Sequence, residues 1–275
     1  MVSPVPNDVL IGISTFRKNQ ALRELLKSAQ DNGYLDANDI LITDDEAPGA
    51  LEVFQEFVHP NLLYIGGQNL GIAKNKNRSL RYFLHHPQYK QVILLDDDLR
   101  FSRNGLVEAL KATELPHVTG YLGSWVEGLG PDPDERKQFS GNSFFDDFPI
   151  QGLSKNRDCF YIHGSQGIMM YMTREIVEKA QYFHIPPGKY GYEHSIYSNV
   201  INRCMGFHVD WFPVLIDTPK YIVGNFNHPN NYVADPQTNS KWWQEKKAQI
   251  QKGINFVNKV SGVPAGEEVL RHDIT

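Results

Sequence analysis

Three consecutive carboxylates, Asp96, Asp97 and Asp98, follow directly on four apolar residues, Val92 to Leu95. Side by side in a poorly solvated place they would repel one another, so they need either a cation among them or open water. As hard oxygen donors they suit a divalent metal; the bland alternative is a solvated acidic turn. A second acidic pair, Asp44 and Asp45, closes another short apolar run, DILIT. Further along, Glu193 and His194 set a carboxylate beside an imidazole, two groups able to move a proton near neutral pH. His228 lies in a polar turn downstream.

The elements that must position these groups are legible in outline. Val9 to Phe16 reads as a buried strand, and Leu22, Leu25, Leu26 and Ala29 then recur at helical spacing until Asn32-Gly33. Strands are expected at Asp39 to Thr43, at Leu62 to Ile65 and at Val92 to Leu95, with a helix starting near Ile72. The order β-α-β-(α)-β-α-β implies a parallel sheet with right-handed crossovers. Its strand-end polar residues would gather along one edge, where ligands of open α/β sheets bind. Later elements are a helix over Asn104 to Thr113, a strand over His117 to Leu122, and an apolar strand from Cys159 to Met172 broken by His163-Gly164-Ser165. A short helix capped by Thr173, a helix from Glu193 to Met205 ending at Gly206, a strand from Phe207 to Ile216 and an amphipathic helix over Ser240 to Val260 complete the chain. Glu127 to Asp158 is a polar loop with Phe144, Phe145 and Phe148 interleaved, and a loop that long usually serves function.

Composition narrows the classes. The chain has 275 residues, 41% of them hydrophobic, enough for one sizeable α/β core. A formal charge of −5 speaks against non-specific nucleic-acid binding. Cys159 and Cys204 are the only cysteines, which gives no disulfide framework and suits a reducing compartment. No run approaches the ~20 apolar residues of a membrane span, and the N-terminus lacks a signal-peptide pattern. A cytoplasmic protein is expected, with peripheral membrane contact left open at the Trp242-Trp243 pair.

Four stretches, in order, resemble the inverting nucleotide-sugar glycosyltransferases of the GT-A fold, family 2 in particular. ISTFRKN (Ile13 to Asn19) is similar to the opening strand end of that family, and ITDDEA (Ile42 to Ala47) to its "VDDGS" segment. NLGIAKNKN (Asn69 to Asn77) is similar to "NxGxxxARN", with Lys76 where the family has Arg, and LDDDL to the metal-binding "DxD". The resemblance implies a single GT-A domain with a mostly parallel central sheet flanked by helices. It implies a donor half over 1–98, an acceptor half over 99–235, and a C-terminal helix and tail over 236–275. Donor contacts would come from Thr15, Phe16, Arg17, Asp44, Asp45, Asn69, Gly71, Lys76, Asn77, Asp96 and Asp97. Asp44 and Asp45 would approach nucleobase and ribose, for which a carboxylate is a suitable hydrogen-bond acceptor. Asp98, with Asp96 through water, would hold Mn²⁺ or Mg²⁺, and His228 fits the place of a third ligand.

YGYEH (Tyr190 to His194) resembles the family's "WGGED", whose second acidic residue is usually the general base; here His194 takes that position, preceded by Glu193. Either residue suits the role. The implied reaction moves a sugar from a nucleotide-diphosphate donor, with UDP-sugar expected, to a hydroxyl of a glycan or other acceptor. Two rivals stand beside it. A nucleotidyltransferase would want a Gly-rich basic loop after strand one, where this chain has STFRKNQ. A non-catalytic nucleotide- or carbohydrate-binding module would account for the departure at His194.

Overall fold

The computed structural model describes residues 7–120, 159–163, 167–185, 193–206, 211–215 and 217–224. The expected Glu127 to Asp158 loop, the turn at Tyr190-Gly191, His228 and the C-terminal helix with Trp242-Trp243 lie outside the described residues. Among the described residues no helix is long and apolar enough to cross a membrane.

The apolar runs form the parallel half of one sheet. Strands β1 (Val9–Thr15), β2 (Asp39–Asp44), β3 (Leu62–Gly66) and β4 (Gln91–Asp96) lie in the order β3-β2-β1-β4. Their register aligns Thr15 with Asp44, Ser14 with Asp96, and Asp44 with Gly66. The polar ends therefore share one edge, as the strand-crossover order requires.

The sheet continues through β8 (Met169–Thr173), β6 (His117–Thr119), β9 (Trp211–Leu215) and β7 (Cys159–His163). Strand β8 runs antiparallel to β4 and β6, and β7 antiparallel to β9, so the second half is mixed. The expected single strand from Cys159 to Met172 is thus two strands at separate places in the sheet. His163 to Gly167 spans the break, and its glycine at φ 70 opens β8. A ribbon of β5 (Leu99–Phe101) and β10 (Ile222–Gly224) follows Asp98; three-residue strands carry no usable alternation.

Helices cover both faces. Helices α1 (Asn19–Asp31) and α5 (Leu106–Ala112) pack on one side; α4 (Ile72–His85), α6 (Arg174–Ala180) and α7 (Glu193–Cys204) pack on the other. Short helices α2 (Tyr34–Ala37), α3 (Leu51–Glu56) and α8 (Thr218–Tyr221) fill connections. Central strands bury both side-chain sets: Val9, Ile11 and Ile13 face one core, Leu10 the other, with Ile93 and Leu95 opposed to Val92 and Leu94. Each such side chain contributes roughly 1.5–3 kcal/mol. Helix α4 packs close against β1 at Gly12, where a Cβ would stand 2.8 Å from Ser79 Oγ. Thr173 precedes α6 as expected but makes no side-chain cap.

Candidate functional site

The lip formed by the ends of β1, β2 and β4 holds the acidic residues, and each has a different surrounding. Asp96 ends β4 and is 29% exposed at its side chain. Its Oδ1 accepts from Lys76 Nζ at 2.6 Å. Asp97 turns inward and is buried. It accepts the Thr15 hydroxyl at 2.7 Å and the Phe16 N–H at 3.4 Å. Burial pushes its carboxyl up to about 7, against the pull of Lys18 and the Thr15 hydroxyl. Asp98, 19% exposed at its side chain, accepts from Lys18 Nζ at 2.8 Å.

Lys18 was not singled out by sequence. It precedes α1, in the β1–α1 turn, and stands 3.5 Å from Asp97 Oδ1 as well as on Asp98. Burial works to lower its pKa, yet Asp97 and Asp98 outweigh that and hold it well above the ordinary lysine range. The signal was present in STFRKN: a cation three residues beyond the strand end that lies beside the aspartates. Arg17, for which the resemblance implies a donor contact, pairs with Glu46 at the surface and stacks over Phe16 at 5.0 Å.

Lys76 is the central surprise. On an amphipathic helix a lysine reads as part of the solvated face, but here its side chain is 0% exposed. Its Nζ lies 2.6 Å from Asp96 Oδ1 and 2.6 Å from His194 Nε2. His194 in turn places Nδ1 3.2 Å from Glu193 Oε1. Lys76 has only donors, so Nε2 must accept and Nδ1 must carry the proton given to Glu193. A continuous chain results, from Glu193 through His194 and Lys76 to Asp96. Burial alone would raise the Glu193 pKa, but the hydrogen bond from His194 and the charge of Lys76 hold it below the ordinary carboxylate range. Gly167 makes room for the imidazole, since a Cβ there would lie 2.2 Å from His194 Nδ1. Glu193 and His194, both buried, are thus linked to Asp96 through Lys76.

The strand-two pair, Asp44 and Asp45, is engaged with its own loops. Both carboxylates are buried. Asp44 accepts the N–H groups of Glu46 and Ala50 and the Tyr64 hydroxyl, and so shapes the turn after β2. Asp45 accepts the N–H groups of Leu70 and Gly71 at 3.0 and 2.9 Å, at the entry to α4. Burial raises the Asp45 pKa even so. Gly71, at φ 96, holds the backbone in a conformation L-residues avoid, which lets that N–H turn toward Asp45. Asn69 lies half-buried in the same loop.

Asn77, for which the resemblance implies a donor contact, also ties the scaffold. Its amide donates to Phe183 O at 2.9 Å and accepts from Phe183 N at 2.7 Å, tying α4 to the segment after α6. Its neighbour Asn75, passed over in the sequence, donates to Thr15 O and Thr43 O and so joins α4 to two strand ends.

The donor set suits a hard divalent cation. Two partly open carboxylates, Asp96 and Asp98, flank one lip, and Mg²⁺ or Mn²⁺ commonly takes one or two carboxylates plus substrate phosphate oxygens. Among the described residues no cage of three or more His, Cys, Asp or Glu side chains forms, and His228 lies outside them.

Residues 10–180 match the family model "Glycosyl transferase family 2". No curated protein matches the chain. Among solved structures, the chain is similar to the mannosyltransferase PcManGT from Pyrobaculum calidifontis in complex with GDP-Man and Mn²⁺, with TM-score 0.56 and 14% identity over 93% of this chain and 65% of that one. It is also similar to residues 1–349 of S. aureus TarS in complex with UDP-GlcNAc, with TM-score 0.53 and 14% identity over 89% of this chain and 66% of that one. The chain therefore spans just under two thirds of either structure, and at these identities the likeness is one of fold.

Proposed function

Because this chain belongs to glycosyl transferase family 2, we propose that it transfers a sugar, with inversion, from a nucleotide-diphosphate donor to a hydroxyl of a glycan or related acceptor. The observation that carries this reading is the lip itself. Asp96 and Asp98 stand partly open at the end of β4, beside the ends of β1 and β2. Neighbouring folds are found with UDP-GlcNAc and with GDP-Man and Mn²⁺, which supports a nucleotide-sugar donor; we take UDP-sugar as the first candidate.

Asp98 and Asp96 would hold Mn²⁺ or Mg²⁺, with His228 as a candidate third ligand. When bound, the ion neutralises charge developing on the leaving diphosphate. Lys76 fixes the Asp96 carboxylate from behind. Thr15 and the Phe16 N–H fix Asp97, which in turn holds the β1 turn beneath the donor. Asp44 and Asp45 would act on the donor by shaping the loops around it.

For the acceptor side we propose Glu193 as the group that takes the hydroxyl proton, with His194 orienting it. His194 is less suited to be the base, because its Nε2 already accepts from Lys76. A second reading, a binding module without turnover, draws support from the lowered Glu193 pKa, which makes it a weaker base. Incubation with UDP- and GDP-sugars and Mn²⁺, followed by mass spectrometry of released nucleotide, separates the two. Release with any donor, alone or with simple glycan acceptors, supports transfer; saturable binding with no release supports the module.

A further inference from the structure

On the nucleotide-sugar reading of the site, we propose that Lys18 is a resident counter-cation of the aspartate cluster that leaves Asp98 and binds the donor's diphosphate when the site loads. The cluster sets two ammoniums among three carboxylates, and the two differ in freedom. Lys76 is closed off from solvent and held by two partners, each at 2.6 Å. Lys18 is 30% exposed at its side chain, 2.8 Å from Asp98 Oδ2 and 3.5 Å from Asp97 Oδ1. Its backbone is anchored, since its carbonyl accepts the Leu22 N–H at 2.9 Å in the first turn of α1. The four-carbon stem is therefore free to sweep from a fixed base, and its ammonium is a point charge indifferent to the direction of its partner.

The same Asp98 cannot serve an ammonium at 2.8 Å and a divalent cation without the two positive charges repelling strongly. The ammonium is the one that moves, and an anion arrives with the donor to receive it. The β1–α1 turn lies on the edge where Thr15, Asp44 and Asp96 end their strands, so a short swing keeps Nζ within the site. A fixed brace tying the β1–α1 turn to β4 would need no such exposure.

Calorimetric titration tests this with two ligands: Mn²⁺ alone, then UDP at saturating Mn²⁺. In Lys18→Met, Mn²⁺ should bind about tenfold tighter, because its competitor is gone, while UDP should bind about tenfold weaker. Lys18→Arg, which keeps the charge, should stay near the parent for Mn²⁺. Lys18→Gln provides a second neutral variant should the methionine protein not fold. Opposite shifts support the exchange; both affinities unchanged, or both weakened, would mark a static brace and overturn it. Asp98→Asn reports separately on the site: unchanged Mn²⁺ affinity there would remove the metal reading itself, whatever Lys18 does.

Discussion

The Lys76 ammonium lies 2.6 Å from His194 Nε2, inside a contact closed to solvent. Since lysine can only donate, this pairing makes the histidine a neutral acceptor and turns a lysine of α4 into the link between the β4 carboxylate and the start of α7. Neither residue type predicts that arrangement by itself.

Replacing Lys76 with Met should leave Asp96 and His194 without their shared donor. Destabilisation of about 3 kcal/mol is expected, at the low end for breaking a buried pair because Asp96 is 29% exposed. Urea unfolding reads this directly. Nucleotide release should fall together with stability, since Asp96 loses the group that holds it.

Gly167→Ala places a Cβ 2.2 Å from His194 Nδ1 at a residue whose φ is 70. The imidazole must move, and the Glu193–His194–Lys76 chain should break. Loss of nucleotide release comparable to that in His194→Ala is expected. Full activity in Gly167→Ala would show that the chain does not support the reaction.

Asp45→Ala removes the acceptor of the Leu70 and Gly71 N–H groups. A stability loss of about 1–2 kcal/mol is expected, as for other buried donors left unsatisfied. Asp45→Asn keeps one oxygen acceptor and should recover part of it. Thermal unfolding of the pair checks this, and equal loss in both variants would count against a role for these hydrogen bonds.

His117 supplies a pH signature away from the site. It is buried, both ring nitrogens lack a partner among the described residues, and burial drives its pKa from 6.5 to about 3. With the folded pKa depressed, the unfolded chain binds the extra proton between pH 6.5 and about 3, so stability falls as pH falls through that window. The slope approaches about 1.4 kcal/mol per pH unit. Glu193, whose pKa is lowered from 4.5, contributes stability that is present above pH 4.5 and lost as pH falls below it. Asp97, raised from 3.8 to about 7, acts in the opposite direction over much of this window, because there the folded chain binds its extra proton. The histidine is therefore read from the difference between two proteins: from pH 6 to pH 5 the urea midpoint of the parent should fall relative to that of His117→Leu.

The first half of the fold was legible because its strands are short apolar runs buried on both faces, each ending in polar residues: Val9–Thr15, Asp39–Asp44 and Gln91–Asp96. The second half was less so. Met169–Thr173 and Cys159–His163 read as one strand, since sequence order says nothing of a chain that crosses the sheet between them. Within the site, residue type revealed the carboxylates but not their partners. Asp44 and Asp45 spend their oxygens on backbone N–H groups, which no spacing rule displays. Lys18 and Lys76 look alike in sequence, and only tertiary packing closes Lys76 off from solvent and leaves Lys18 partly exposed.

The central claim, nucleotide-sugar transfer that depends on a metal held at the β4 lip, is tested most directly by Asp98→Asn. Nucleotide diphosphate released from UDP- and GDP-sugars would be measured with and without Mn²⁺, beside thermal unfolding of both proteins. The expected result is Mn²⁺-dependent release by the parent that falls at least about a hundredfold in the variant, with the folded state intact. Release by Asp98→Asn equal to that of the parent would contradict the account.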